Sequence, residues 1–139
     1  MNKTLTVLLA DDNEIIRTFG ENAISSLVTP ALKEKGIVLQ LDIAQNGAEA
    51  RDMINKRQYD VCILDNQMGK PTGVELAKEI EGKQHPRLVL WSGEIKETGR
   101  IAMTQDPSIT AAAHLFAYFL SKPCNMKYFV EFRKEIFGQ

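Results

Sequence analysis

An unbroken apolar run that stops at an acidic residue is the most constraining feature of this 139-residue chain. Residues 61–64 read VCIL and are bounded by Asp60 and Asp65. A short apolar run without alternation is typical of a strand that is buried on both faces of a parallel sheet. Asp65 would then lie at the carboxyl end of that strand, where open α/β sheets bind their ligands.

The residues after Asp65 predict a return to a helix. Thr72 and Glu75 have the spacing of a capping box, in which each side chain accepts a hydrogen bond from the backbone N–H of the other residue. An apolar stripe follows, formed by Leu76, Ala77 and Ile80. Asp65 is therefore expected in a loop between two rigid elements, which is a common position for a reactive side chain.

Four further strands are predicted, at residues 5–10, 37–44, 87–91 and 118–120. Residues 37–44 alternate between apolar and polar side chains, which favours an edge strand with one face in water. Five helices are expected between and after the strands, and Pro30 should kink or divide the first of them because proline removes a backbone donor. This alternation predicts an α/β fold with a doubly wound, five-stranded parallel sheet.

The stretch between the fourth and fifth strands is longer and less regular than the other connections. Residues 94–107 are polar, and we expect a long loop with a short helical turn around residues 100–103. Asp106 and Pro107 fit the N-cap and the first position of a helix, so a fourth helix is predicted to begin there.

Composition and charge exclude several classes of protein. Hydrophobic residues make up 44% of the chain and charged residues 25%, which are ordinary globular values. A net charge of −1 without a basic cluster argues against nucleic-acid binding, and no apolar run approaches the ~20 residues needed to cross a membrane. Neither Cys62 nor Cys124 has a partner at metal-ligand spacing, so both are expected to be free thiols in a reducing cytoplasm.

Five polar side chains should meet at one edge of the predicted sheet, because each follows the carboxyl end of a parallel strand. They are Asp11, Asp12, Asp65, Ser92 and Lys122. Three clustered carboxylates repel one another unless a cation joins them. Mg²⁺ is the natural cation, since it prefers oxygen ligands and keeps waters that a phosphoryl oxygen can displace. An aspartate beside a metal and a lysine can act as a nucleophile toward a phosphoryl group.

These residues resemble the receiver domain of two-component response regulators. The resemblance covers essentially the whole chain and rests on the Asp11-Asp12 pair, Asp65 with Gly73 eight residues later, Ser92, and the Lys122-Pro123 pair. It implies a flavodoxin-like fold with strand order 2-1-3-4-5 and a single receiver domain over residues 1–139. The start at Met1 favours a stand-alone receiver, although a piece of a larger regulator or hybrid kinase would look the same.

The resemblance also assigns roles to individual residues. Asp65 would accept a phosphoryl group from a sensor histidine kinase or a histidine phosphotransfer protein, and Lys122 would pair with that group. Mg²⁺ would be held by Asp11, Asp12 and Asp65, together with the backbone carbonyl of Gln67.

Ser92 and Phe119 would form the switch that the family uses. In receivers the hydroxyl shifts toward the phosphoryl group and the aromatic side chain moves with it. This remodels the face built from the helix predicted to begin at Asp106 and Pro107, the strand at residues 118–120, and the last helix, predicted at about residues 125–137. A downstream effector protein would bind this face, which is also a candidate surface for a homodimer. Direct binding to nucleic acid or to a membrane is not expected.

Departures from the family pattern keep a second function open. Gly69 follows Met68 where receivers usually have proline, and the span from Ser92 to Lys122 is longer than usual. The alternative is a receiver-fold interaction module that works without phosphorylation. A flavin-binding protein is disfavoured because the acidic first loop would repel a phosphate.

An enzyme that uses Asp65 as its nucleophile is also disfavoured. Hydrolases of the haloacid dehalogenase type usually carry a general acid two residues after the nucleophile, where this chain has Gln67. At most, slow self-dephosphorylation is expected.

Overall fold

The computed structural model describes residues 3–83, 86–123 and 125–139, which contain one five-stranded parallel sheet. The strands are β1 (Lys3–Ala10), β2 (Ile37–Ala44), β3 (Val61–Asp65), β4 (Arg87–Ser92) and β5 (Tyr118–Ser121). Their order is β2-β1-β3-β4-β5, so the predicted fold and strand order are confirmed. The alternating strand β2 lies at an edge, as its pattern predicts.

Helices cover both faces of the sheet. Those in the described residues are α1 (Glu14–Ala23), α2 (Thr29–Lys33), α3 (Gly47–Lys56), α4 (Gly73–Ile80), α5 (Pro107–Ala112) and α6 (Met126–Phe137). Successive strand residues point to opposite faces, so Leu8 joins the apolar cluster under α3, α4 and α5 while Leu9 joins the cluster under α1 and α6. Every residue of β3 is buried because both of its faces are covered. No helix among the described residues is long and apolar enough to cross a membrane.

The strand register brings four strand ends to the same level. Ala10 of β1 lies beside Leu64 of β3, and Asp65 lies beside Trp91 of β4. Ser92 in turn lies beside Ser121, the last residue of β5. The residues that follow these strands therefore gather at one edge of the sheet, which is the geometry that the sequence predicts.

The interruption predicted at Pro30 takes the form of a π-helical turn. Residues Ile24–Val28 form this turn between α1 and α2, and Pro30 lies in the first turn of α2, where a missing backbone N–H is tolerated. Arg133 of α6 donates from Nη1 to the carbonyl of Leu27 at 3.2 Å. A side chain distant in sequence thus satisfies a carbonyl of the widened turn.

The prediction of a short helical turn around residues 100–103 is wrong. Residues 94–106, here called the edge segment, run without helix along the outer side of β5. Gly99 and Phe119 exchange two backbone hydrogen bonds of 2.9 and 2.8 Å as an antiparallel bridge. Arg100 also pairs with Glu135 of α6 at 3.1 Å. The backbone of Gly99 therefore pairs with β5, while Lys96 N donates to the carbonyl of Met103 at 2.7 Å within the segment, so no helical turn forms at residues 100–103.

Candidate functional site

A cleft of about 360 Å³ lies at the carboxyl edge of the sheet. Its lining includes all five side chains that the sequence assigns to this edge, namely Asp11, Asp12, Asp65, Ser92 and Lys122. Asp11 and Asp12 follow β1, Asp65 ends β3, Ser92 ends β4 and Lys122 follows β5. The parallel sheet therefore concentrates acidic, hydroxyl and ammonium groups in one small volume.

The three carboxylates of the cleft form a compact oxygen cluster. One oxygen each from Asp11, Asp12 and Asp65 lies within 4.8 Å of the other two. Asp11 and Asp65 are almost completely buried, whereas Asp12 is exposed. With one lysine among them, the group carries two uncompensated negative charges, and oxygen donors with such a charge fit Mg²⁺. An ion held here would relieve the repulsion between the buried carboxylates.

Lys122 is the cationic partner of the two buried carboxylates. Its Nζ donates to Asp11 Oδ2 at 2.8 Å and to Asp65 Oδ1 at 3.1 Å, and it lies 5.5 Å from the centre of the Trp91 ring. Burial lowers the pKa of Lys122, but the two carboxylates outweigh this effect and raise its pKa above the ordinary value. The ammonium group therefore stays charged and fixes the position of both acids.

Asp65 is held in an environment that disfavours its charge. Burial, followed by repulsion from Asp11, raises the pKa of Asp65 to about 6, against the opposing effects of Lys122 and of the Gln67 backbone N–H. Oδ1 accepts hydrogen bonds from both of these donors. Within the described part of the chain, Oδ2 has no hydrogen-bond donor. This carboxylate therefore presents one free oxygen to the cleft.

The loop after Asp65 is fixed by the start of α4. Asn66 Oδ1 accepts a hydrogen bond from Val74 N at 3.1 Å, and the predicted capping box of Thr72 and Glu75 is present. A Cβ atom on Gly73 would lie 2.6 Å from the carbonyl oxygen of Asp65, so only glycine permits this approach. The loop therefore holds the carboxylate in place rather than leaving it mobile.

Ser92 lies in the cleft, whereas Phe119 does not line it. The Ser92 hydroxyl is buried and accepts a hydrogen bond from Glu94 N at 3.1 Å. Phe119 is buried on β5, with its ring centre 5.8 Å from that of Phe116 and its backbone bonded to Gly99. The structure thus locates the two residues assigned to the switch in different surroundings, one at the site and one beneath the edge segment.

The side chains of two residues at the mouth of the cleft, Gln67 and Glu94, were not predicted as part of the site from the sequence. Gln67, considered there for its backbone carbonyl, donates from Nε2 to Glu94 Oε1 at 2.6 Å. The interaction with the Asp106 carboxyl group raises the pKa of Glu94, and the pKa of Asp106 is lowered to about 2 by Glu94 and by the Ser108 hydroxyl. The signal for Glu94 was its position just after the carboxyl end of β4, which places it at the same edge.

Cys62 does not line this cleft. Cys62 is a free thiol in the core, and burial raises its pKa to about 12. Cys124 lies outside the described residues. Cys62 is therefore protonated and unreactive at neutral pH.

Comparison with known proteins agrees with this geometry. The family model of the response regulator receiver domain matches residues 7–132. An uncharacterized response regulatory protein of Vibrio cholerae is 37% identical over 90 residues, which are 65% of this chain and 31% of that protein. This chain therefore spans about a third of the length of that relative.

Solved structures share the fold at low sequence identity. The receiver domain of a Pseudomonas aeruginosa sensor histidine kinase, with a magnesium ion in its active-site cleft, aligns with a TM-score of 0.71 at 14% identity and covers 98% of this chain and 99% of its own. The response regulator TrrA of Thermotoga maritima, in complex with Mg²⁺ and BeF, aligns with a TM-score of 0.65 at 23% identity, over 95% and 98% of the two chains. These likenesses show a common architecture.

Proposed function

This chain belongs to the family of response regulator receiver domains, and from that premise we propose that Asp65 accepts a phosphoryl group from a histidine kinase or a histidine phosphotransfer protein. The observation that carries the proposal is a buried carboxylate with one free oxygen, paired through its other oxygen with Lys122. Such an arrangement joins a nucleophile to a cation that can stabilise the transferring group.

The transfer requires one bond to form as another breaks. A lone pair of Asp65 Oδ2 attacks the phosphorus of the donor's phosphohistidine, and the P–O bond forms as the P–N bond breaks. The imidazole leaves with the bonding electron pair and takes a proton from solvent. Lys122 stabilises the negative charge on the transferring oxygens, and Ser92 binds one of those oxygens through its hydroxyl.

Receiver domains bind Mg²⁺ at their acidic pocket, and we assign the same role to the oxygen cluster of this cleft. The ligands would be Asp11, Asp12, Asp65 and the backbone carbonyl of Gln67. The ion supplies positive charge that neutralises the carboxylates and the incoming phosphoryl oxygens. Asp12 is the carboxylate best placed to bind first, since it is exposed and its oxygens have no hydrogen-bond donor among the described residues.

The signal would leave the cleft through Ser92 and Phe119 toward the face built by α5, β5 and α6. A downstream effector protein, or a second copy of this chain as a homodimer, would bind that face. We place the protein in the cytoplasm, where histidine kinases phosphorylate their receivers. Slow self-dephosphorylation would reset the switch.

A phosphorylation-independent interaction module remains the second candidate. The edge segment that pairs with β5 through Gly99 favours it, because this segment already covers part of the face that would change on phosphorylation. Asp65→Asn separates the two functions. Loss of a phosphorylation-dependent partner response supports the switch, whereas partner binding that is unchanged by the substitution supports the module.

Intact mass spectrometry tests the acceptor function. The protein is incubated with Mg²⁺ and acetyl phosphate, alongside Asp65→Asn, a chelator control and Asp52→Asn as a matched substitution at an exposed helix position. The proposal predicts one phosphoryl group on the wild type and on Asp52→Asn, and none on Asp65→Asn or in chelator. Equal phosphorylation of Asp65→Asn would contradict it.

A further inference from the structure

The only tryptophan of the chain lies next to the acceptor site without lining the cleft. Trp91 pairs with Asp65 in the register of β3 and β4, and its side chain is buried. Lys122 Nζ lies over the Trp91 ring, 5.5 Å from the centroid. At this distance the face of an indole attracts an ammonium group by a cation–π interaction. Trp91 is therefore a third partner of Lys122, besides Asp11 and Asp65.

The position of the Trp91 ring is fixed by the two helices on that side of the sheet. Phe129 of α6 contacts it edge to face, with ring centroids 5.4 Å apart and an interplanar angle of 79°. A Cβ atom at Gly20 of α1 would lie 2.9 Å from a carbon of the ring, so a glycine is needed there to leave room for the indole. The ring therefore cannot withdraw from Lys122 without disturbing this packing.

The ring is the partner of Lys122 that the proposed reaction leaves unchanged. Asp11 and Asp65 are both assigned as Mg²⁺ ligands, so their charge would be shared between the ion and the lysine. Asp65 also loses its negative charge when its carboxylate becomes a mixed anhydride with phosphate. Lys122 keeps 18% of its side chain exposed, so weaker pairing with these acids would let it turn toward solvent. The indole carries no charge and binds no metal, so its attraction for the ammonium group persists in each state.

We propose that Trp91 is a positioning residue, whose indole face holds the Lys122 ammonium group in the cleft while the neighbouring carboxylates bind Mg²⁺ and Asp65 accepts the phosphoryl group. This role in the transfer rests on the acceptor function proposed above. The contact between the ring and the ammonium group belongs to the unmodified protein and is tested separately.

The ring current of Trp91, measured by NMR, tests the contact. Protons over the face of an aromatic ring resonate upfield, so the ε-CH₂ protons of Lys122 should lie upfield of those of Lys56, whose side chain is 74% exposed. The difference should persist when saturating Mg²⁺ replaces a chelator, and it should disappear in Trp91→Leu. A Lys122 shift equal to that of Lys56 in either condition would exclude the contact.

Fluorinated tryptophan tests whether the ring attracts the charge. Because Trp91 is the only tryptophan, biosynthetic incorporation of mono-, di- and trifluorotryptophan changes this ring alone. Fluorine is close to hydrogen in size but withdraws electrons from the ring face, so each one weakens the cation–π attraction with little change in packing. In Mg²⁺, trifluorination should lower the folding equilibrium constant about fivefold more in the wild type than in Lys122→Met, which has no ammonium group. An equal loss in both proteins would show an effect of packing alone and would exclude the attraction.

Phosphorylation by acetyl phosphate, at saturating donor and Mg²⁺, tests the role of Trp91 in the transfer. The rate, followed by intact mass, should fall with each added fluorine, to about a fifth of the wild-type rate with three. Trp91→Phe, which keeps an aromatic face, should retain more of the rate than Trp91→Leu. A ring that only filled space would show no such dependence on its electrons.

A phosphorylation rate independent of fluorine, in a protein that does accept the phosphoryl group, would overturn the role of Trp91 in the transfer. If the wild type gains no phosphoryl group, the acceptor function fails together with that role. The ring-current shift and the comparison with Lys122→Met still decide the contact in that case, and the shift does so even where Lys122→Met fails to fold.

Discussion

Asp65 is buried, lies near the Asp11 carboxylate and contacts Lys122, and the balance of these three effects sets its pKa and hence its reactivity. Burial and Asp11 raise the pKa of Asp65 to about 6, while Lys122 opposes them. At neutral pH the side chain is mostly ionised and therefore nucleophilic, although its environment disfavours the charge. A cation bound at the oxygen cluster would remove this disadvantage.

The raised pKa of Asp65 predicts a pH-dependent stability effect. An acid whose pKa is higher in the folded than in the unfolded protein destabilises the fold once pH exceeds its unfolded value, and the loss is complete above the folded pKa of about 6. Without Mg²⁺, Asp65→Asn should therefore raise the free energy of unfolding by about 1–3 kcal/mol at pH 7. The gain should shrink toward pH 4.

Urea unfolding at several pH values in chelator measures this gain. Asp52→Asn, an exposed substitution on α3, is the control and should change stability by less than about 0.5 kcal/mol at every pH. An advantage of Asp65→Asn that does not vary between pH 4 and 7 would show that the charge of Asp65 is not its source.

At the scale of elements, the junction between β3 and α4 positions the Asp65 carboxylate. The start of α4 approaches the end of β3 so closely that a Cβ atom on Gly73 would lie 2.6 Å from the Asp65 carbonyl oxygen. Asn66 bonds Val74 N across the same junction. The position of the carboxylate therefore depends on how the helix begins as well as on the strand.

Gly73→Ala should consequently damage both stability and the acceptor site. We expect a loss of about 1–3 kcal/mol in the free energy of unfolding, typical of overpacking, together with slower phosphorylation by acetyl phosphate. Gly99→Ala is the control, since a Cβ there meets nothing within 4 Å. Urea unfolding and intact mass measure the two effects, and wild-type values for Gly73→Ala in both would argue against the tight junction.

The elements that the sequence predicts well are those whose signal is local. The apolar run of residues 61–64 and the acid after it suffice to predict β3 and the position of Asp65, and the capping box predicts the start of α4. The resemblance to receivers supplied the strand order. Unlike the strand order, β3, the position of Asp65 and the start of α4 each depend on residues close together in sequence.

The features that were missed depend on contacts between distant residues. Gly99 pairs with the backbone of Phe119 twenty residues later, so no local pattern marks the edge segment. Glu94 follows a strand as expected, but its hydrogen bond with Gln67 depends on how the loops after β3 and β4 meet. The sequence therefore indicates that Glu94 lies at this edge of the sheet, but it does not indicate which side chain Glu94 contacts.

At the scale of the whole molecule, stability and metal binding should be linked through the cleft. A ligand that binds only the folded state adds about 2.7 kcal/mol when its concentration is a hundred times its Kd. Mg²⁺ should therefore raise the thermal unfolding temperature, and a chelator should reverse the increase. Asp12→Asn should weaken this response because Asp12 is an exposed member of the oxygen cluster.

Thermal unfolding over a Mg²⁺ titration measures this link. Asp52→Asn, which lies outside the cluster, should respond as wild type does. Equal Mg²⁺ responses in wild type and Asp12→Asn would remove Asp12 from the ligand set.

Chemical identification of the modified residue tests the central claim most directly. Borohydride reduces an aspartyl phosphate to homoserine, so the phosphorylated protein is reduced, digested and sequenced by mass spectrometry. The acceptor function predicts homoserine at position 65 and unchanged aspartate at Asp11 and Asp12. Homoserine at either of those positions, or phosphorylated protein that yields no homoserine at all, would contradict the assignment of Asp65 as the acceptor.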